Sequence, residues 1–337
     1  MIFVTAPIEG ITQCANGTIC VGDNIQLLVF GVHEFQSWFN HLDTFAVGPI
    51  HRKLLYSATD SLEVLGYFGL EKPGFFYRMK KFTISVQEQW KKFGWGVYLP
   101  NEKLIQASVQ NELTVGFALA LAELIEGKRL KFESNQMADQ TVQLSFQPSG
   151  KPMIQVSKIN SFDWDFELDP PVHVDPFFEV DIRSNGWYLE EHRSFLLPRE
   201  TMAHFFYALL PVEFQTKHRK NELLEVQGVQ DQQIHVIRSV LIASSLAEQE
   251  SKEPSFVQTQ DDWSNILAQT ISKRGFGTFQ ILNFDFQLCC LSLMLKSGNI
   301  PYIVGKVWSK WNKATGSTSK CLLSVEKSGI LVHFSPP

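Results

Sequence analysis

The chain has 337 residues, 44% of them hydrophobic, with 27 Phe and 8 Trp; this is apolar mass for two packed cores and excludes intrinsic disorder. With 30 Lys and Arg against 35 Asp and Glu the formal net charge is -5, and no basic stripe or polybasic cluster points to nucleic acid or an anionic membrane. The opening MIFVTAPIEG lacks the pattern of a secretory signal, no apolar run approaches the ~18 residues of a membrane span, and the five cysteines have the irregular spacing of free thiols. A cytoplasmic protein without a membrane span is the expectation.

In chain order, NIQLLVFGVHEFQSWF (24–39) reads as a strand followed by a helix, and HRKLLYSATDSLEVLG (51–66) as the next helix. Met79, Phe82, Val86, Trp90 and Phe93 then recur at three- and four-residue spacing, one apolar stripe on a third helix. Gly94 suits the cap that ends it, where φ > 0 is cheap for glycine, and Gly96 the sharp turn into a hairpin formed by WGVYL and KLIQASV. A helix at LTVGFALALAELIEG (113–127) and a strand at TVQLSFQP (141–148) complete this half. Residues 148–176 hold five prolines and read as a linker, with a candidate edge strand in MIQVSKI.

The same order returns. RSFLLPRETMAHFF (193–206) is strand then helix, and IHVIRSVLIASSLAEQ (234–249) is a helix. SKRGFGTFQILNF (272–284) places Gly275 and Gly277 around Phe276 as Gly94 and Gly96 surround Trp95, and Phe82, Val86 and Trp90 fall on Trp263, Leu267 and Ile271. LCCLSLMLK, PYIVGKVWSKWNKATG and GILVHFSP follow as strand, helix and strand. The expectation is an α+β fold in two tandem copies, helices packed on a small antiparallel sheet, forming a pseudo-dimer within one chain: 1–147, a linker 148–176, and 177–337.

The two central helices differ. When their glycines are matched, Phe117, Leu121 and Leu124 fall on Lys306, Lys310 and Lys313, while Leu119 and Ala122 fall on Trp308 and Trp311. The lysine face reads as facing water in the second copy. The first copy must therefore cover Phe117, Leu121 and Leu124, either with its own chain, the favoured reading, or with a docked partner.

This pattern resembles the four-vinyl-reductase-type domain, a family related to the Bet-type subunits of TRAPP tethering complexes. The resemblance rests on FLLPRETM (195–202), on the GWG and GFG turns at 94–96 and 275–277, and on the glycine-bearing helices ending at Gly127 and Gly316. It implies a binding or assembly protein with a hydrophobic pocket for a tetrapyrrole, a lipid or an aromatic hydrocarbon, or a surface for a protein partner. Phe82, Trp90, Trp263, Trp308 and Trp311 are the ligand-binding candidates, and Phe117, Leu121 and Leu124 the partner-binding ones. Two alternatives stand beside it: an enzyme or accessory in (bacterio)chlorophyll vinyl-group reduction, and a tethering-type scaffold without ligand.

Sensor-type members carry zinc-binding cysteines. Here only Cys321 is kept, and Val332 occupies the place of the last one, so no metal is expected. The acidic stretch 163–175, with Asp163, Asp165, Glu167, Asp169, His173 and Asp175, lacks the glycine of a calcium loop and reads as a solvated linker. No nucleophile with its base, phosphate loop or dinucleotide fingerprint occurs, so no catalytic residue is nominated and no cofactor is expected beyond a hydrophobic ligand.

Overall fold

The computed structural model describes all residues except 1–4, 7, 23–24, 71–76, 139, 160–161, 166–172, 175–179, 184–185, 190, 252–256 and 258. The chain opens with short strands β1 (Thr5–Ala6), β2 (Ile11–Cys14) and β3 (Ile19–Val21), then β4 (Ile25–Gly31). Helices α1 (Val32–Phe45), α2 (His51–Val64) and α3 (Tyr77–Phe93) lead to the hairpin β5 (Val97–Leu99) and β6 (Leu104–Gln106). α4 (Asn111–Glu126) and the hairpin β7 (Leu130–Ala138) and β8 (Thr141–Pro148) end the first half.

The second half repeats this order. Strands β9 (His173–Val174), β10 (Val180–Arg183), β11 (Gly186–Leu189) and β12 (His192–Pro198) precede α5 (Arg199–Leu209). An extra strand, β13 (Leu224–Gln227), comes before α6 (Asp231–Glu250) and α7 (Gln260–Thr270). The hairpin β14 (Gly277–Asp285) and β15 (Cys290–Ser297), α8 (Ile300–Thr315), and the hairpin β16 (Lys320–Glu326) and β17 (Gly329–Ser335) follow.

The fold is mixed α+β, and its strand orders repeat. The first half's sheet runs β5-β6-β8-β7 and the second's runs β14-β15-β17-β16, with β13 added outside β16. β13 is parallel to β16, a departure from the wholly antiparallel sheet expected. A third sheet joins the halves in the order β1-β10-β11-β12-β4-β3-β2-β9. Its centre is the antiparallel pair β4–β12, with Leu28 opposite Leu197 and Phe30 opposite Phe195.

The halves exchange elements about that centre. β1 pairs with β10, and β9 with β2. α1 packs on α6, while α5 packs on α2. The contacts therefore cross the division at 148–176. Aromatic packing follows the same exchange: Phe30 of β4 meets Phe276 edge-on at 5.5 Å and Tyr302 at 5.0 Å. On the other side the Trp95 indole N–H donates to the Leu196 carbonyl at 2.6 Å.

Both glycine turns sit in this exchange. Gly94 has φ +73° and Gly275 φ +82°, the left-handed region expected of them. A Cβ on Gly94 would lie 2.4 Å from Trp187 Nε1 and 2.9 Å from the Ser194 carbonyl oxygen; on Gly275 it would lie 2.3 Å from that of Leu27. Gly116 and Gly305 serve a second close approach, because a Cβ there would lie 2.3 Å from the Leu55 oxygen and 2.1 Å from the Leu241 oxygen.

The stretch 148–176 departs from expectation. MIQVSKI forms no strand, and Ile154 is 73% exposed. Phe162 and Trp164 are buried and stack at 4.5 Å, against Phe206 of α5. Asp165 pairs with Arg199 at 3.1 Å, and Asp163 Oδ2 accepts from the Gln230 backbone at 2.9 Å. At residues 156–159 and 162–165 the stretch forms a docked strap where a solvated linker was expected; Glu167, Asp169 and Asp175 lie outside the described residues, as does the His173 side chain.

Replacing Gly94 or Gly275 with Ala combines left-handed strain with a clash against the opposite half. Each variant is expected to lose more than about 1 kcal/mol of stability. Urea denaturation checks this, and unchanged midpoints would contradict it.

Candidate functional site

The five residues expected to line a ligand pocket are core. Phe82 is 6% exposed, and Trp90, Trp263, Trp308 and Trp311 are fully buried. Trp263 and Trp311 meet edge-on at 5.3 Å, and Trp90 lies 5.0 Å from Tyr98. The Trp308 indole N–H donates to Ser319 Oγ at 3.0 Å.

The partner-binding stripe is also interior. Phe117 is fully buried and stacks on Trp95 at 4.1 Å, Leu121 is 1% exposed, and Leu124 is half-buried against the core. The chain itself covers this face, which leaves it no room for a docked partner.

The lysine face required a correction. Lys306 and Lys310 are buried, at 4% and 9% exposure, although water was expected there. Lys306 Nζ donates to Glu34 Oε1 at 2.6 Å and lies 3.5 Å from Glu248, and Lys310 pairs with Glu248 at 3.0 Å. Lys313 donates to the backbone carbonyls of Glu248 and Ser251 at 2.5 and 2.8 Å. Glu34 comes from α1 of the other half, and it also accepts from Arg274 at 2.5 Å and from the Tyr302 hydroxyl. Burial alone would raise the Glu34 carboxyl; Arg274 and Lys306 outweigh it and hold the group well below the usual carboxylate range. This is a structural knot, with every partner of Glu34 supplied by the second half.

Among the described residues the other seam, between α2 and α5, has no such knot. Where α1 offers Glu34, α5 offers Thr201, whose hydroxyl shares a 2.8 Å hydrogen bond with that of Ser61. Beyond this pair the helices part into a cleft of about 340 Å³. Arg52, Tyr56 and Asp60 of α2 line it, facing His204 and Tyr207 of α5, and the strap closes one side with Val156 and Ile159. Tyr56 and Tyr207 are 49% and 54% exposed.

Two titratable groups in the cleft are displaced in opposite directions. Burial raises the Asp60 carboxyl to about 6, opposed by Arg129 and assisted by Glu63 and Glu123. Burial lowers the His204 imidazole to about 4. His204 is 5% exposed, and its Nε2 has no hydrogen-bond partner among the described residues. A pair of displaced groups in a concave site makes the cleft the candidate for a binding surface. Neither residue was singled out in the sequence, where each is one polar residue among several on an amphipathic helix.

Among the described residues no group of three His, Cys, Asp or Glu side chains could hold a metal ion. Cys321 is fully buried, and burial pushes its thiol up. No described helix is long and apolar enough to cross a membrane. Compared with known proteins, the chain matches no family model, no curated protein and no solved structure.

Replacing Glu34 with Gln removes the carboxylate that Arg274 and Lys306 share, leaving Lys306 with Glu248 at 3.5 Å, and is expected to cost about 3–5 kcal/mol. Glu34 titrates lower in the folded chain than in the unfolded one, so its contribution is present above about pH 4.5 and is lost as pH falls below it. The gap between the parent and Glu34→Gln in urea should narrow in acid; a gap independent of pH would refute the assignment.

Asp60 has the opposite sign. Its folded value lies above its unfolded value, so stability falls as pH rises from about 4 through about 6. Asp60→Asn should therefore gain stability over the parent at pH 8 and lose that advantage at pH 3.5. Thermal melts at both values decide it.

Proposed function

We propose that the protein is a non-catalytic binding and assembly protein of the cytoplasm, with the α2–α5 cleft as its occupied surface. The observation that carries this reading is the cleft itself. It combines two half-exposed tyrosines, an unpaired buried imidazole and a basic rim at Arg52 and Lys53. Small-molecule sites have this make-up, mostly apolar walls with a few polar groups that orient the occupant. The four-vinyl-reductase-type resemblance points the same way, toward an aromatic, acyl or tetrapyrrole group or a protein partner, although the residues first considered for it lie in the core. Reduction needs a hydride donor and the sequence carries no dinucleotide fingerprint, so binding is preferred over vinyl-group reduction.

The fluorescent probe 8-anilinonaphthalene-1-sulfonate carries an aromatic body and an anion, matching the tyrosines and the basic rim. It is expected to bind saturably, and Tyr56→Ser combined with Tyr207→Ser to weaken it by about tenfold, the equivalent of about 1.4 kcal/mol. Equal affinity for parent and double variant would refute the cleft as the site.

A further inference from the structure

One segment of the second half has no counterpart in the first. In the second half, residues 210–230 join α5 to α6 and cover α6. The Arg238 guanidinium donates to Asn221 O and Oδ1, both at 3.1 Å. Lys220 donates to Ser245 Oγ and lies 4.8 Å from the Trp308 ring. β13 then pairs in parallel with β16, setting Leu224 opposite Cys321 and Val226 opposite Leu323. In the first half α1 joins α2 through residues 46–50, with no strand between them.

In the first half no strand takes the place of β13 among the described residues, and the equivalent face of α2 is met only in part, by Val156 and Ile159 of the strap. Gly116 approaches Leu55 and Ala58 as Gly305 approaches Leu241 and Ser244, so Arg52 corresponds to Arg238 and Tyr56 to Ile242. Ile242 is fully buried, whereas Tyr56 is 49% exposed and Arg52 is exposed. Phe132 faces Phe146 across its hairpin as Cys321 faces Phe334, so β7 corresponds to β16. Among the described residues β7 has one strand neighbour, β8, and its outer edge is unpaired. Beside that edge Phe132 is half-buried against Tyr56, 6.5 Å away, and Met137 is 67% exposed. A nine-residue exposed edge strand is a template for another chain.

We propose that the outer edge of β7, with the adjoining face of α2, takes an extended segment of a partner protein as an added parallel strand. This names the partner class for the binding reading above, on which it rests. β13 supplies the pattern of the occupant: apolar residues alternating with polar ones, preceded by a residue placed as Asn221 is before Leu224. In the first half that residue is acidic, because Arg52 and Lys53 stand where the second half has Arg238 and Ser239. Backbone hydrogen bonds provide the affinity of such an addition, and alternate side chains its specificity. A second copy of this chain does not fit the pattern: two β7 edges related by a two-fold axis would run antiparallel, whereas the internal template is parallel.

The probe is a fluorescein-labelled peptide copying residues 218–229 with Asn221→Asp, added to the full chain. Saturable binding is expected, with slowed amide hydrogen exchange across 130–138. Arg52→Glu should weaken binding by about tenfold or more by opposing the peptide's carboxylate. Phe132→Ser should weaken it through the apolar contact, with Arg52→Glu as the variant that leaves the core untouched. Protection at 320–326 instead would mean strand exchange and would overturn the proposal. Protection of 130–138 that rises with protein concentration and needs no peptide would overturn it in favour of self-association. If the peptide fails while anilinonaphthalene sulfonate still binds the cleft, strand addition is wrong and the binding reading stands; if neither binds, both are wrong.

Discussion

The pairing of β4 with β12 is the constraint on which the rest of the structure depends. Both strands are nearly free of solvent on their central residues, and both lead directly into a helix. Once they pair antiparallel, each helix is delivered to the opposite half: α1 to α6, and α5 to α2. The glycine turns must then approach the opposite half's strand, which is why Gly94 lies against Ser194 and Gly275 against Leu27. The chain is thus held by strands and helices given across its centre, with no flat interface between two finished units.

Much of the local structure was legible in the sequence. The helix stripes, the glycine caps and the hairpins depend on neighbours within a few residues, and periodicity reports those well. The exchange was not legible, because an exchanged helix and an unexchanged one bury the same stripe. Lys306 and Lys310 misled for a related reason. Lysines on a helix face read as solvated, and the carboxylate that draws Lys306 inward belongs to Glu34, 272 residues earlier. Phe162 and Trp164 sat among prolines and acids, a composition that masked their docking on α5. The cleft had no sequence signal, since Asp60 and His204 acquire their displaced proton affinities from burial that only the folded chain creates.

The two seams started from the same strand-helix pattern and diverged. One closed around Glu34, with two cations and a phenol from the opposite half. The other kept the small hydroxyl pair of Ser61 and Thr201 and opened beyond it. Burying charge in the first seam is costly unless every group is paired, and such full pairing fixes the geometry of the helices around it. A closed seam on one side gives the open seam a rigid frame.

The exchange also sets a timetable during synthesis. Glu34 leaves the ribosome 272 residues ahead of Lys306. At ~5–20 residues per second that interval is on the order of ten to fifty seconds. Until residue 198 has emerged β4 has no complete β12 beside it, and until residue 250 has emerged α1 has no complete α6 to pack on. The nascent first half therefore carries an apolar strand edge and a helix face whose native covers have not yet been made, the kind of surface that chaperones hold. The charged seam around Glu34 is complete only after the last helix, which carries Lys306, has emerged.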